Sequence, residues 1–207
     1  VTHLYQDLVL NPNKTTAVAF ENFGIVGSNK TALEVSSFPT IDLSRKLDYL
    51  LTYPHGCLEQ ITSTAFPQLY LSDLMDLTAS QKSEIQKNIT KAIKEIGSLQ
   101  LPNGGFKYWP NQQVADDWAT SYAGHFLIEA EKKGYVLPIQ FKNKWIQYQK
   151  SQAKNWRINQ QNDFAQAYRL YTLACAENPD LASMNRLRET AQISNETKLR
   201  LAATYAL

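Results

Sequence analysis

The spacing of apolar residues changes near residue 40, and this change divides the chain into two parts. Before it, short runs of β-branched and aromatic residues alternate partly with polar ones, at 15–20 and 31–35, and turn-forming residues lie around them. After it, apolar residues recur every three or four positions, which is the period of an amphipathic helix. The pattern predicts a β-rich segment over residues 1–39, belonging to a flanking strand-built module, and a helical domain over residues 40–207.

Capping and turn residues set the ends of the predicted helices. Asp42 is placed to cap the first helix, Thr78 with Gln81 has the pattern of a capping box, and the turn Pro102–Gly105 ends the helix that Thr78 opens. The predicted spans are about 43–51, 57–75, 78–99, 115–133, 138–153, 161–176, 180–191 and 195–207. The sequence therefore predicts an all-α domain.

An internal repeat indicates how these helices are arranged. The stretch Asp117–Tyr122 is echoed by Asp163–Tyr168, an offset of 46 residues, and both stretches continue to a matching Leu, Ala and Glu. This offset is the length of two helices with their loops, so we expect helix pairs that are stacked or set in a ring. The apolar segment 199–207 resembles the start of one more such helix, which predicts a natural chain that continues further.

Composition excludes several classes of function. Among 207 residues, 21 Lys and Arg oppose 19 Asp and Glu, and this small excess is spread along the chain, so no basic footprint for nucleic acid is predicted. No apolar run approaches the roughly 18 residues that span a bilayer. Two cysteines make no disulfide framework, and together with three scattered histidines they lack metal-ligand spacing, so neither a metal nor another cofactor is expected.

The segment Tyr53–Gln60, with the sequence YPHGCLEQ, is the strongest candidate for chemistry. Proline and glycine predict a tight, exposed turn, and Cys57 follows at the start of a helix, where free backbone N–H groups favour a thiolate. Gln60 lies three residues further on the same helix face. A thiolate held beside a carboxamide can displace ammonia and form an internal thioester between the Cys57 sulfur and the Gln60 side-chain carbonyl.

These residues resemble a known family. YPHGCLEQ is similar to the thioester signature P-x-G-C-x-E-Q of the α2-macroglobulin and complement family in its bacterial form, and the similarity continues through 62–71. It returns at 101–109, which resembles the family loop P-D-G-[SG]-[FY]-x-x-W except that Asn103 replaces the aspartate. The resemblance covers roughly residues 30–207.

The resemblance implies a fold, a function and a location. It implies an α/α toroid of helix pairs, incomplete in this chain, inside a large envelope-associated or periplasmic protease inhibitor, with any membrane anchor outside the chain. In such a trap a protease cuts a bait region elsewhere, and the exposed thioester acylates a lysine amine of the protease. Cys57 would be the leaving thiol, Gln60 the acyl donor and Glu59 the acidic motif position, in a single-use reaction rather than an enzymatic turnover. The implied partners are target proteases and the other domains of the parent chain.

Several further residues can be interpreted in two ways. His55 either polarises the thiolate or packs in the turn, and Tyr53, Tyr108 and Trp109 either line the thioester pocket or are core aromatics. His125 falls in an apolar helix and is predicted to be a core or groove residue, and Cys175 a buried, inert thiol. Some complement relatives transfer the acyl group through a loop histidine. The matching region, 155–161, contains none, so direct aminolysis is expected.

The alternative hypothesis is an enzyme. Asp116, Asp117 and Asp163 stand at helix starts and would be the paired carboxylates of an α/α-toroid glycosidase. Because each precedes an aromatic helix start, capping of those helices explains them more simply.

Overall fold

The computed structural model describes residues 4, 6–21, 24–29, 31, 33, 35, 47, 50–157 and 162–207. The chain separates into two compact units, Val1–Ile41 and Asp42–Leu207, and each is described by itself. In the described part of the first unit, turns at 12–13 and 25–28 lie in a mostly exposed backbone without helix or strand. Residues 15–20 form no strand, because β-propensity alone supplies no partner for the backbone groups. The second expected strand, 31–35, lies partly outside the described residues.

The second unit is helical in its described part. Its helices are α1 (Leu58–Ala65), α2 (Leu71–Leu74), α3 (Ala79–Ser98), α4 (Asp117–Lys132), α5 (Phe141–Asn155), α6 (Asp163–Cys175), α7 (Leu181–Glu189) and α8 (Asn195–Tyr205), with a 3₁₀ turn at Pro67–Leu69. From α3 onward the predicted spans agree with the structure to within a few residues. The expected helix 57–75 is instead divided into three pieces around Pro67, which lacks a backbone N–H to donate. The helix expected at 43–51 lies mostly outside the described residues, of which Leu47 and Leu50 are helical.

Side chains cap the helices much as the sequence predicts. Thr78 and Gln81 form the expected capping box of α3, and Asp116 accepts a hydrogen bond from the Ala119 N–H at the start of α4, at 2.8 Å. Asp180 and Ser194 cap α7 and α8 in the same way. Each cap satisfies an N–H group that the helix itself leaves without a partner.

The helices lie in two rows, and helices that follow one another in the chain from α3 onward belong to alternate rows. Helices α1, α4, α6 and α8 pack successively against one another, while α3 packs on α1, α5 on α6, and α7 on α6 and α8. The 46-residue repeat falls on α4 and α6, and its matching aromatics meet there: the Trp118 ring lies 6.0 Å from that of Phe164 and 4.9 Å from that of Tyr168. The predicted helix pairs are therefore confirmed. No helix in the described ranges is long and apolar enough to cross a membrane.

Candidate functional site

The turn before α1 places Cys57 at the start of that helix. Pro54 is buried, Gly56 adopts a φ of 110°, and Cys57 is the extended N-cap residue of α1. The φ of Gly56 lies in a region that L side chains rarely adopt, which explains a glycine there. His55 and Gly56 are exposed as predicted, but Cys57 is only 3% exposed. The expected exposure therefore holds for the turn and does not extend to the cysteine that follows it.

The Gln60 side chain folds back onto this turn. Its Oε1 accepts a hydrogen bond from the Cys57 backbone N–H at 3.0 Å, within a capping box formed by the two residues. A Cβ atom on Gly56 would lie 2.1 Å from that oxygen and 3.0 Å from the carboxamide carbon. Gly56 thus serves two purposes, because only a residue without a side chain both adopts this φ and leaves room for the carboxamide.

A loop between α3 and α4 packs on the start of α1. Isolated bridges Gln100–Phe106 and Lys107–Ala115 shape this loop. In its first turn Asn103 Oδ1 accepts a hydrogen bond from the Gly105 N–H at 3.1 Å. An aspartate would make the same bond, so the departure from the family loop conserves this contact.

Tyr108 connects the loop to the candidate site at two points. Its carbonyl oxygen accepts from the Leu58 N–H at 3.1 Å, and its hydroxyl donates to Glu59 Oε2 at 2.7 Å. Hydrogen bonding with the Cys57 side chain and then with Glu59 raises the pKa of Tyr108 above its ordinary value. Tyr108 therefore contacts the first turn of α1 through Leu58 and Glu59, although it is about fifty residues away in the sequence.

The other two aromatic candidates are about half exposed. The Trp109 ring meets the Tyr108 ring at a centroid distance of 6.0 Å and remains 47% exposed. Tyr53 is 49% exposed and lies beneath the Lys91 ammonium, 5.5 Å from the ring centroid. Of the three aromatics proposed for a pocket, Tyr108 is the one that the structure joins to the first turn of α1, through Leu58 and Glu59.

His125 belongs to a different part of the molecule. Its ring meets the edge of Phe66, the residue that follows α1, at 5.0 Å, and its Nδ1 lies 3.0 Å from the Tyr168 hydroxyl. Burial lowers the pKa of His125 to about 4, so the ring is neutral near pH 7. Because Cys57 lies at the opposite end of α1, about 12 Å along the helix axis, His125 lies away from the sulfur.

One cluster of potential metal ligands was missed by the sequence argument. In the described part of the chain, ligand atoms of His125, Glu129 and Cys175 lie within 4.8 Å of one another. Histidine and glutamate are four residues apart on α4, and Cys175 comes from the neighbouring helix α6. The sequence argument considered only the spacing of histidines and cysteines, so it did not anticipate this group. The carboxylate already accepts hydrogen bonds from Lys132 at 2.8 Å and from Tyr70 at 2.7 Å. Protein partners therefore account for Glu129.

The aspartates that the alternative hypothesis assigns to a glycosidase active site make structural interactions instead. Asp116 caps α4, and Asp117 pairs with the buried Arg169 at 3.0 Å. Asp163 does not cap its own helix but accepts from the Ser194 N–H at 2.8 Å and from the Thr197 hydroxyl at 2.9 Å, at the start of α8. Burial opposes ionisation of Asp163, but these hydrogen bonds outweigh it and lower its pKa.

Comparisons with known proteins agree with the fold and with the motif. The model of the A-macroglobulin TED (thioester) domain matches residues 32–166. Alpha-2-macroglobulin of Escherichia coli is 29% identical over 136 residues, which is 62% of this chain and 8% of that protein. That of Rickettsia conorii is 29% identical over 149 residues, which is 70% of this chain and 8% of that protein. The chain thus spans less than a tenth of the length of these curated relatives.

Solved structures give the same result. The structure of Salmonella alpha-2-macroglobulin reacted with methylamine superposes with a TM-score of 0.66 at 29% identity, covering 81% of this chain and 12% of that one. A structure of native E. coli alpha-2-macroglobulin, from domain MG7 to the C-terminus, gives a TM-score of 0.67 at 23% identity, over 81% of this chain and 29% of that one. The chain belongs to the A-macroglobulin thioester-domain family, and the predicted α/α toroid is confirmed.

Proposed function

We propose that this chain carries the thioester of a bacterial α2-macroglobulin-like protease inhibitor, formed between the Cys57 sulfur and the Gln60 side-chain carbonyl. The observation that supports the proposal most strongly is the position of the Gln60 carboxamide. It is folded back onto the Gly56–Cys57 turn and accepts a hydrogen bond from the Cys57 N–H at 3.0 Å. A glutamine in the first turn of a helix could instead extend into solvent.

The hydrogen bond from the Cys57 N–H to Gln60 Oε1 also suits the chemistry of the thioester. Attack on the Gln60 carbonyl carbon, by sulfur or later by an amine, moves negative charge onto Oε1. A backbone N–H at a helix start that already points at this oxygen acts as an oxyanion donor, and one such donor is worth about 3 kcal/mol of transition-state stabilisation in other acyl-transfer sites. The site thus combines a nucleophile, an acyl carbon and an oxyanion donor within four residues.

The larger role follows from the relatives. The protease is the partner: after cleavage elsewhere in the parent protein, the thioester acylates a lysine amine of the protease once, without turnover. Other domains of the parent chain supply the bait and shield the thioester, and the parent protein works in the periplasm or cell envelope. The Salmonella relative, described as reacted with methylamine, supports an amine-reactive site in this family.

Mass spectrometry of the intact, full-length protein tests the proposal. With a thioester present, the mass is one ammonia short of the sequence value, and methylamine adds one adduct at Gln60 while it releases one titratable thiol. Cys57→Ser is the matched control, because it conserves side-chain volume and removes the thiol. A native, folded protein of full sequence mass that takes up no methylamine refutes the proposal.

A further inference from the structure

One loop residue, Tyr108, holds two successive residues of the first turn of α1. The Leu58 N–H, one of those that a helix start leaves without an internal partner, donates to the Tyr108 carbonyl at 3.1 Å. The Tyr108 hydroxyl donates to Glu59 Oε2 at 2.7 Å. Leu58 and Glu59 lie between Cys57 and Gln60 in the sequence, so Tyr108 is bound to the segment that joins the two reacting residues.

Tyr108 is itself held in place by the rest of its loop. Its backbone N–H donates to Gln112 Oε1 at 3.2 Å. Two residues earlier, the fully buried Phe106 donates its N–H to Thr120 Oγ1 at 2.9 Å and accepts from the Asp116 N–H at 2.9 Å, both at the start of α4. The loop therefore joins the start of α1 to the start of α4.

The hydrogen bonds made by Tyr108 leave out the side chains that react. Cys57 and Gln60 form a capping box with each other, and this box is built from the two side chains that the thioester would join. The terminal turn of a helix frays readily. A displacement of about 1 Å between reacting groups can cost about 100-fold in rate. A brace that the reaction does not alter therefore favours formation of the bond.

We propose that Glu59 and Tyr108 are positioning residues for the thioester, because together they fix the first turn of α1 to the loop and keep the Cys57 sulfur within reach of the Gln60 carboxamide while the bond forms. This inference rests on the proposed function and assigns a task to the acidic residue of the CLEQ motif and to a tyrosine outside it. Neither residue exchanges a proton or a bond with the reacting atoms. The Glu59 carboxylate acts as a hydrogen-bond acceptor, and the Tyr108 hydroxyl is its donor.

Variants of the full-length protein separate this role from others. Tyr108→Phe removes the hydroxyl and conserves both the ring and the backbone bond to Leu58, while Glu59→Ala removes the acceptor. Glu59→Gln conserves an acceptor oxygen for the Tyr108 hydroxyl and removes the charge. Tyr122→Phe is the matched control, because it removes a hydroxyl that contacts α1 elsewhere, through Ser63 at 3.3 Å.

The experiment measures how fast the thioester forms in newly synthesised protein. Samples are denatured in methylamine at intervals, which stops formation and converts each existing thioester to a methylamide. The mass of the peptide that contains residues 57–60 then distinguishes three states. A methylamide marks a thioester that was present, an unchanged glutamine marks one that never formed, and a glutamate at position 60 marks one that formed and was hydrolysed.

A hydrogen bond to a charged group is worth a factor of about ten or more. We therefore expect formation to be about tenfold slower in Tyr108→Phe and in Glu59→Ala, with unchanged glutamine as the remainder. The double variant should be no slower than either single one, because both substitutions remove the same hydrogen bond. Glu59→Gln should form the bond within about threefold of the wild-type rate, since a neutral acceptor still holds the tyrosine. Tyr122→Phe should equal wild type.

The outcomes separate this inference from the proposed function. A wild-type rate in Tyr108→Phe overturns the positioning role, and so does a Glu59→Gln protein as slow as Glu59→Ala, because the charge would then matter more than the hydrogen bond. A glutamate at position 60 in the slow variants also overturns it, since the bond would have formed and then been lost to water. Absence of any methylamide in the wild-type protein refutes the thioester itself. The unfolding midpoint is measured in parallel, and the positioning role predicts slow formation in a Tyr108→Phe protein whose midpoint equals that of Tyr122→Phe.

Discussion

Gly56→Ala is the substitution that tests the geometry of the site most directly. Its Cβ atom would lie 2.1 Å from Gln60 Oε1, so the carboxamide must leave the turn and give up its 3.0 Å hydrogen bond to Cys57. The φ of 110° adds backbone strain of about 1–3 kcal/mol for a residue with a side chain. With about 1 kcal/mol for the lost hydrogen bond, the free energy of unfolding should fall by about 2–4 kcal/mol.

Gly134→Ala provides the matched control. Gly134 also has a positive φ, 90°, but a Cβ atom there meets nothing within 4 Å. This variant should lose only the strain contribution of about 1–3 kcal/mol and should form the thioester normally. The assay is denaturant unfolding for both variants, with intact mass before and after methylamine.

Gly56→Ala should show full sequence mass and no adduct, because the Gln60 carboxamide can no longer fold back onto the Gly56–Cys57 turn. A Gly56→Ala protein with a normal ammonia deficit, or with the same stability loss as Gly134→Ala, would refute the argument that Gly56 is there to admit Gln60.

Three other outcomes are expected. Cys57→Ser and Gln60→Ala should each abolish methylamine incorporation, as read by intact mass, while the circular dichroism spectrum stays helical. Burial lowers the pKa of His125 to about 4 against 6.5 in an unfolded chain, so its contribution to stability is fully present above pH 6.5 and is lost as pH falls toward 4. About 3 kcal/mol should therefore disappear from the unfolding free energy of the wild-type protein over this range, and less from that of His125→Asn. The activated protein should join lysine and methylamine in preference to glycerol, with or without His125, and efficient ester formation that depends on this histidine would contradict the assignment.

The parts of this fold that the sequence could predict are those set by local periodicity. The 46-residue echo of α4 in α6 identifies helix pairs, and in the structure the two repeated helices pack on each other with Trp118 against Phe164. Strand pairing at 15–20 could not be predicted from alternation, since it depends on a partner elsewhere. The break at Pro67 follows from chemistry that the sequence does contain, namely the missing N–H of proline, which the predicted span 57–75 passed over.

The candidate site likewise has features that could be predicted from the sequence and features that could not. The approach of Cys57 to Gln60 follows from their spacing on one helix, and it could be predicted. The burial of Cys57 and the position of Tyr108 could not, because they depend on a loop about fifty residues away that packs on the start of α1. The proximity of His125 to Cys175 is hidden for the same reason, since it arises only where α4 packs on α6.

The two reacting residues differ in their exposure to solvent. Gln60 is exposed, whereas Cys57 is only 3% exposed. Under the proposed chemistry, an amine reaches the acyl carbon from solvent while the sulfur departs toward the buried side. The Cys57 N–H meanwhile remains on the oxygen that gains charge. Under the proposed function, this chain itself supplies the donor for the developing charge, and other domains have the task of covering the exposed Gln60 until a protease arrives.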